Sequence, residues 1–259
     1  MEITAVIITK NEVANIGRCI GSLQGLVAQV LVVDSCSTDG TQALASSLGA
    51  VVITQLWEGY GPQKNVGIDA ANSEWILSLD ADEALDANMH DAIVALKGLE
   101  PDSDTVFELH RLNYFYGKAV RQGLEYPDWK PRLFAKSFAR WNAADVHESL
   151  TYKATAKVQR LVGNIDHFTY ATVGEHLERT LHYASLGAKR MAAQGKTAGP
   201  GKMLGSAITV FIKSYFIRSG WRGGAQGFLL AAISAMGNLM KYAMLWQEQQ
   251  TPSETKKPR

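Results

Sequence analysis

Trp75-Ile-Leu-Ser-Leu-Asp80-Ala-Asp82-Glu83 is a short apolar run that ends in three carboxylates. Apolar runs of this length are typical of buried parallel strands. Ligands of open α/β sheets collect at the carboxyl ends of such strands. An Asp-x-Asp pair at that point supplies hard oxygen ligands for a divalent cation that also touches a phosphate. Because the same pair occurs in ordinary solvated turns, the pair alone leaves both interpretations open.

The sequence around this run alternates strand and helix patterns. Strands are predicted at residues 5–9, 30–34, 51–54, 75–79 and 105–112, and helices at residues 15–26, 41–48, 63–71 and 86–100. The alternation predicts right-handed βαβ units in an α/β protein, with a mixed, mainly parallel sheet flanked by helices. Residues 113–150 are rich in aromatic residues and are predicted to be irregular. The pattern after residue 174 predicts a C-terminal helical extension.

The overall composition is that of a soluble globular protein, with 46% hydrophobic and 20% charged residues among 259. Cys19 and Cys36 lack metal or redox spacing and indicate a reducing, cytoplasmic compartment. The N-terminus lacks the features of a signal peptide. No uncharged apolar stretch is expected to reach the roughly 18 to 20 residues of a spanning helix.

The charges are distributed unevenly along the chain. Residues 1–178 hold 14 Lys or Arg and 23 Asp or Glu, whereas residues 179–247 hold nine Lys or Arg and no Asp or Glu. The change predicts a domain boundary near residues 175–180. The predicted regions are a catalytic domain at 1–174 (nucleotide-binding half 1–100, acceptor half 101–174), a basic apolar helical region at 175–247 and a polar tail at 248–259. Nucleic-acid binding is disfavoured because the basic region is apolar between its charges.

Polar residues follow three of the predicted parallel strands. They are Thr9-Lys-Asn11-Glu12, Asp34-Ser35 and Asp80-Ala-Asp82. Since parallel strands end at one edge of a sheet, we expect these groups to converge beside the possible cation site. The set suits a nucleoside diphosphate better than a dinucleotide, because neither a GxGxxG loop nor a Walker A loop follows the first strand.

Four blocks together resemble the inverting glycosyltransferases of family 2. They are Val6–Glu12, Val32–Thr41, Lys64–Gly67 and Trp75–Glu83. Later blocks resemble a narrower branch that contains bacterial β-1,4-glucosyltransferases of the lipopolysaccharide inner core, and these are Trp129–Phe134, Val146–Glu148, Asp166–Tyr170 and Phe211–Gly224. The resemblance covers about residues 3–245. It implies a GT-A fold and transfer of a hexose, with glucose expected, from a UDP-sugar to a lipid-linked glycan.

The resemblance also implies roles for single residues. The implied donor-binding residues are Thr9, Asn11, Glu12, Asp34, Asp39, Lys64, Asp80, Trp129, Arg132 and His147. Asp34 would accept from the uracil N–H. The implied ligands for Mg²⁺ or Mn²⁺ are Asp82, Asp80 and His167. Glu148 is the expected base, which takes the acceptor hydroxyl proton in a single displacement. Ordinary alternatives stay open, namely turn or cap roles for Asp34 and Asp39, a solvated Lys64, a core His167, a packed Trp129 and a solvated Arg132.

The basic C-terminal helices have three possible roles. They could bind the inner leaflet of the cytoplasmic membrane, where lipid-linked acceptors are presented, mediate homo-oligomerisation, or pack against the catalytic domain. For the whole chain, the alternatives are a transferase for another cell-surface polysaccharide or glycolipid and a non-catalytic nucleotide-sugar-binding scaffold. A sugar-phosphate nucleotidylyltransferase is disfavoured because no Gly- and Arg-rich loop follows the first strand.

Overall fold

A computed structural model describes residues 1–142 and 149–250. Glu148 and His147 therefore lie outside the described residues. The strands are β1 (Ile3–Thr9), β2 (Gln29–Asp34), β3 (Val51–Thr54), β4 (Trp75–Asp80), β5 (Glu83–Leu85), β6 (Thr105–Phe115), β7 (Lys118–Ala119), β8 (Trp129–Ala135), β9 (Ala139–Trp141), β10 (Leu150–Tyr152) and β11 (Lys157–Tyr170). The helices are α1 (Ile16–Gly21), α2 (Thr41–Ser47), α3 (Tyr60–Ala70), α4 (Ala87–Lys97), α5 (Val173–Ala193), α6 (Pro200–Ile212) and α7 (Gly224–Gln250). A π-helical turn (Lys213–Ile217) and a 3-10 turn (Gly220–Gly223) lie between α6 and α7.

The chain divides into two compact units. The first comprises Met1–Asn113 and Pro127–Thr169. The second comprises Tyr114–Tyr126 and the residues from Tyr170 onward. The domain boundary predicted near residues 175–180 stays a prediction.

Four strands of the first unit form the parallel part of a mixed sheet, in the order β3-β2-β1-β4. In the register of β1, Thr9 pairs with Asp34 of β2, and Ile8 pairs with Asp80 of β4. The carboxyl ends of the three strands therefore meet at one edge. This arrangement confirms the convergence that the strand-end residues predicted.

The sheet continues beyond β4 through β8, β6, β11 and β5. Strand β8 is antiparallel to both β4 and β6. The prediction of an irregular segment over residues 113–150 is therefore wrong for residues 129–135, and also for residues 139–141 of β9. Pro131 lies within β8, opposite Glu108 at an irregularity of the register. A proline in a sequence argues against a central strand. Strand β8 could not be predicted because it is ordered by pairing with β4 and β6, which are distant in the chain.

Helices cover both faces of this sheet. On one face, alternate β1 residues such as Ile3 and Ile7 share an apolar core with residues of α1, α2 and α4. On the other face, Val6 shares a core with Ile68 of α3 and with the β9–β10 hairpin. Both faces of β1 are therefore buried, which accounts for its largely apolar sequence.

Helix α3 approaches the sheet very closely at Gly67. A Cβ atom on Gly67 would lie only 2.3 Å from Val6 Cγ1. Any side chain there would push the helix away from β1. The close approach places Lys64, one turn earlier on α3, beside the carboxyl end of β4.

In the second unit, α7 packs against α5 and α6. The helical stretch Gly220–Gln250 is long and apolar enough to cross a membrane by length and composition, because an 18-residue window within it has a mean hydropathy of 1.4. This differs from the prediction that no stretch would qualify. Core helices of soluble proteins meet the same criteria, so the finding assigns no location.

Candidate functional site

The loop after β1 is hydrogen-bonded to the loop after β2. Asn11 has a left-handed backbone with φ of 55°. Its backbone N–H donates to Ser37 Oγ at 2.7 Å, and its Oδ1 accepts from the Thr38 N–H at 2.9 Å. The Glu12 N–H donates to Thr41 Oγ1 at 2.8 Å. These bonds hold the polar edge of the sheet in a defined conformation.

Asp34 is fully buried at the end of β2. Its carboxylate accepts from Ser37 N (2.8 Å), Ser37 Oγ (2.5 Å) and Gln42 Nε2 (2.5 Å). An ionised carboxylate has about four acceptor positions, so about one remains for a ligand N–H. The structure shows the turn role for Asp34, and its contact with uracil stays a prediction. The contacts of Ser37 and Gln42 with Asp34 were not predicted, because in the sequence alone the two residues look like an ordinary loop residue and an ordinary helix residue.

Asp39 holds the start of α2. Its Oδ1 accepts from the Thr41 N–H at 3.0 Å and from Thr41 Oγ1 at 2.5 Å, while Oδ2 accepts from the Val13 N–H at 3.1 Å. The bond from the Thr41 hydroxyl is the main cause of the lowered pKa of Asp39. Asp39 therefore binds the first N–H of α2 from the position before its N-cap residue, Gly40. Its contact with uridine or ribose stays a prediction.

Two buried polar atoms beside the ends of β1 and β2 lack a hydrogen-bond partner among the residues that the structure describes. They are Thr9 Oγ1 and Gln63 Oε1. Gln63 Nε2 donates to Ser35 Oγ at 2.9 Å, which holds the amide beside the end of β2. Because buried polar groups are nearly always paired, both atoms are candidates for a contact with ligand or water. Gln63 was not predicted, since a buried and a solvated helix glutamine look alike in sequence.

Asp80 lies between two buried cations. Lys64 Nζ is 3.1 Å from Asp80 Oδ1, and Arg132 Nη2 is 3.1 Å from Asp80 Oδ2. The two cationic side chains are 1% and 3% exposed. Burial alone would raise the pKa of the Asp80 carboxyl, but Lys64 and Arg132 outweigh it and hold that pKa far below its usual range. Asp80 is therefore ionised at physiological pH, and Lys64 is not the solvated lysine of the ordinary alternative.

Glu83 completes this buried charge network. Its side chain is fully buried, with Oε1 accepting from Arg132 Nη2 at 2.5 Å and Oε2 accepting from the Asp80 N–H at 3.0 Å. Arg111 Nη1 lies 3.6 Å from Glu83 Oε1, and Arg111 Nη2 lies 2.7 Å from Asp128 Oδ2. The sequence marked Glu83 only as a third carboxylate without a role. Arg132 is buried among carboxylates, unlike the solvated alternative, and its contact with a phosphate stays a prediction.

Asp82 and His167 face each other at the same end of the sheet. His167 Nε2 is 3.3 Å from Asp82 Oδ2, and the Phe168 N–H donates to the Asp82 carbonyl at 2.9 Å. His167 Nδ1 lies 2.7 Å from Asn113 Oδ1. If Nδ1 carries the proton that Asn113 accepts, Nε2 presents a lone pair to a carboxylate oxygen. Two acceptors then face each other. In the other tautomer Nε2 donates to Asp82 and Nδ1 accepts from the Thr169 hydroxyl at 3.0 Å, so the pair alone does not define a cation site. Asn113 was not predicted.

Two tryptophans lie near the predicted site residues. Trp129 packs between His110, with ring centroids 5.0 Å apart, and the Arg160 guanidinium at 4.7 Å. Its role as a sugar platform stays a prediction. Trp141, which sequence reasoning did not select, has its ring 4.5 Å from Lys64 Nζ.

The three predicted metal ligands do not form one cluster. Across residues 1–142 and 149–250, no group of three or more His, Cys, Asp or Glu side chains has the arrangement of a metal site. Asp82 pairs with His167, whereas Asp80 pairs with Lys64 and Arg132. Any cation at Asp82 would therefore need ligands from a bound substrate or from water.

Comparison with known proteins gives the family. The sequence model described as "Glycosyl transferase family 2" matches residues 4–142. This chain belongs to glycosyltransferase family 2. An uncharacterized glycosyltransferase of Rickettsia felis is 31% identical over 262 residues, which cover 94% of this chain and 89% of that protein. The lipopolysaccharide core biosynthesis glycosyltransferase LpsC of Rhizobium meliloti is 28% identical over 253 residues, which cover 95% and 93% of the two chains.

A solved structure supports the fold of this family 2 chain. S. aureus TarS 1-349 in complex with UDP matches with a TM-score of 0.50 and 12% sequence identity, over 96% of this chain and 91% of that chain. Likeness at this identity concerns the fold alone. Together with the family match and the mixed sheet flanked by helices, it confirms the predicted α/β fold of the GT-A class.

Proposed function

We propose that this family 2 glycosyltransferase transfers a hexose, with glucose as the expected sugar, from a UDP-sugar to a lipid-linked glycan such as the lipopolysaccharide core. The proposal rests on one observation. The ends of β1, β2 and β4 bring Thr9, Asp34 and Asp80 to a single edge of the sheet. Such an edge is where open α/β sheets bind nucleotides.

The polar atoms at this edge support a nucleotide donor. Thr9 Oγ1 and Gln63 Oε1 are buried without a described partner, and Asp34 retains about one acceptor position. The matched TarS structure contains UDP, and the relative LpsC is named for lipopolysaccharide core biosynthesis. These two names support the choice of UDP and of a lipid-linked acceptor.

The Asp82–His167 pair fits a divalent cation. Adjacent ligands of an octahedral ion with bonds of about 2.1 Å lie about 3 Å apart, close to the 3.3 Å between His167 Nε2 and Asp82 Oδ2. Mg²⁺ usually takes one or two carboxylates and completes its coordination with water and substrate phosphates, so a full protein cluster is not required. Bound Mg²⁺ or Mn²⁺ would offset the charge that develops on the departing diphosphate.

The charged residues around Asp80 position the donor. Lys64 and Arg132 keep Asp80 ionised, and Glu83 holds its backbone N–H. The Asp80 side chain is still 26% exposed, so it can reach a ribose hydroxyl or a water molecule at the nucleotide edge. Glu148 remains the proposed base for the acceptor hydroxyl. Inversion then follows from a single displacement in which that base and the leaving group act together.

We place the enzyme in the cytoplasm, peripherally on the inner leaflet of the membrane. Residues 179–247 hold nine Lys or Arg and no Asp or Glu. This excess of positive charge supports the location, because cytoplasmic leaflets are anionic. Homo-oligomerisation through the same helices stays a prediction.

Isothermal titration calorimetry of UDP binding tests the metal-assisted donor site. Mn²⁺ or Mg²⁺ should strengthen UDP binding to the wild-type protein relative to binding in a chelator. Asp82→Ala should abolish that gain, which we expect to be about 10- to 100-fold by analogy with losses at metal sites. Asp91→Ala, which removes a carboxylate from the exposed surface of α4, serves as the control and should keep the gain. A wild-type protein that binds UDP equally well with and without metal would contradict the proposal.

A further inference from the structure

The second unit contains a cavity lined by three arginines. It has a volume of about 460 Å³ and is lined by Arg121, Arg218 and Arg222 together with Tyr126 and Ser219. We call it the arginine cavity. Within residues 1–142 and 149–250, none of these guanidinium groups forms an ion pair with a carboxylate. Three uncompensated arginines around one cavity make it a site for an anion.

Backbone contacts build the arginine cavity from two distant segments. The Gly123 N–H donates to the Arg218 carbonyl at 2.9 Å, which joins the loop containing Arg121 to the turn after α6. Ser219 has a left-handed backbone with φ of 56°, and the Arg222 N–H donates to its carbonyl at 3.0 Å. Backbone hydrogen bonds therefore order the turn that carries Arg218 and Arg222 and join it to the loop that carries Arg121.

The ligand chemistry follows from the choice of arginine. A guanidinium group presents a planar fork of donors that matches phosphate oxygens, often through two parallel hydrogen bonds. A phosphate group is therefore the expected ligand class. Tyr126 and Ser219 add polar side chains to the wall of the cavity.

An exposed apolar surface lies next to the arginine cavity. Every fourth residue along α6 and the following π-helical turn is a large exposed apolar side chain, namely Leu204, Ile208, Ile212 and Phe216. Residues four apart share one helix face. Ile217, which lines the cavity, is 71% exposed, and Trp221 is 53% exposed. We call these six residues the exposed stripe.

The exposed stripe is not the face that packs α6 into the second unit. Ala207 is the buried residue of α6, and the helix packs against α7. Phe211 and Tyr215 stack at 5.4 Å, and both rings contact Phe228. The stripe therefore rests on an ordered aromatic layer while its own side chains face solvent.

We infer that the arginine cavity and the exposed stripe together dock on an anionic lipid surface, with the arginines binding a headgroup phosphate and the stripe entering the acyl boundary. Free phosphate would not account for six exposed apolar residues beside the cavity. A surface that combines exposed cations with large exposed apolar side chains matches the chemistry of a membrane interface. The inference deepens the proposed function, on which it rests for the presence of a lipid-linked acceptor.

Vesicle sedimentation with the full-length protein tests this inference. Without any sugar donor, the wild-type protein should bind phosphatidylcholine vesicles that contain phosphatidic acid, and bind vesicles of phosphatidylcholine alone far less. High salt should weaken the binding. The triple variant Arg121→Gln/Arg218→Gln/Arg222→Gln should lose about 100-fold in apparent affinity, since each cation near an anionic surface contributes about fivefold.

A charge-matched control variant distinguishes binding of lipid at the arginine cavity from general electrostatic attraction between the basic region and anionic vesicles. Lys189→Gln/Arg190→Gln/Lys196→Gln removes three exposed cations of the same basic region that do not line the cavity. It should retain affinity to within about fivefold. Ile217→Ser should also weaken vesicle binding, although it changes no charge. Circular dichroism and UDP calorimetry should be unchanged in all variants, which excludes misfolding as the cause.

Several outcomes would overturn the inference. They are equal losses in the two triple variants, binding of inorganic phosphate without binding of vesicles, and a concentration-dependent dimer that Ile217→Ser dissociates while vesicles go unbound. Because vesicle binding is measured without donor, its failure leaves the transferase proposal intact. Loss of UDP binding or transfer would in turn leave the vesicle result standing.

Discussion

Arg132→Met should lower the free energy of unfolding by about 3 to 5 kcal/mol, the usual effect of removing one partner from a buried ion pair. The variant keeps an apolar stem of similar length but leaves Glu83 fully buried without its closest cation. Arg111 remains 3.6 Å away, too far to form an equivalent bond. Since natural proteins are stable by about 5 to 15 kcal/mol, the loss is a large part of the total.

Urea unfolding measures this loss, and Arg140→Met provides the matched control. Arg140 forms a bidentate pair with Asp69 at 2.7 and 2.8 Å, but its side chain is 48% exposed. Removing an exposed pair should change the free energy of unfolding by less than about 1 kcal/mol. Similar small losses in both variants would show that the buried network contributes no more than a surface pair.

The same comparison has a defined pH dependence. The pKa of Asp80 is depressed in the folded protein, so its ion pairs contribute stability above the unfolded value of about 4. That contribution is lost only as the pH falls through the lower folded value. The difference between wild type and Arg132→Met should therefore be constant from about pH 5 to about pH 8 and shrink under more acidic conditions. A difference that grows toward low pH would contradict the assignment of Asp80 as ionised.

Glu148→Gln should reduce turnover by about 10²- to 10⁴-fold while UDP binding persists, as expected when a positioned general base is lost. Glutamine keeps the shape of the side chain but cannot accept the acceptor proton. Steady-state transfer rates and UDP calorimetry on the same variant separate the two effects. Near wild-type turnover would rule Glu148 out as the base.

Two carboxylates would then be tested next, Asp145 and Asp128. Asp128 is the weaker candidate because it contacts Arg111 and Lys130 at 2.7 and 3.0 Å. Burial raises the pKa of Asp128, but Arg111 and Lys130 outweigh it and lower that pKa. A carboxylate so stabilised in its ionised form is a poor proton acceptor. Loss of UDP affinity in Glu148→Gln would instead assign Glu148 to the donor site and leave the base unassigned.

Local sequence patterns predicted the parallel strands of the sheet and the positions of their ends. Strands β1, β2 and β4 are largely apolar runs that end in polar residues, so their burial and the position of their ends could be predicted. Helix α1 is shorter than predicted, since it ends at Gly21 and a turn with left-handed Gly25 follows. Such boundary errors are usual where glycines interrupt a helical pattern.

The rest depends on contacts between residues far apart in the chain. Arg132 lies 49 residues from Glu83, and nothing in either local sequence shows that both are buried. The proximity of Arg121 to Arg218 and Arg222 likewise depends on the fold. Cations along an apolar helix predict a basic surface, but only the fold brings Arg218 and Arg222 together with Arg121 of a distant loop around one cavity.

The most direct test of the central claim is a donor-release assay across UDP-glucose, other UDP-hexoses, GDP-sugars and ADP-sugars, each with Mn²⁺ or Mg²⁺ and with a chelator. A lipid-linked core glycan serves as the acceptor. We expect release of UDP from a UDP-hexose, dependence on the divalent metal, and loss of release in Asp82→Ala. Equal use of GDP- or ADP-sugars, or full activity in the chelator, would contradict the central claim.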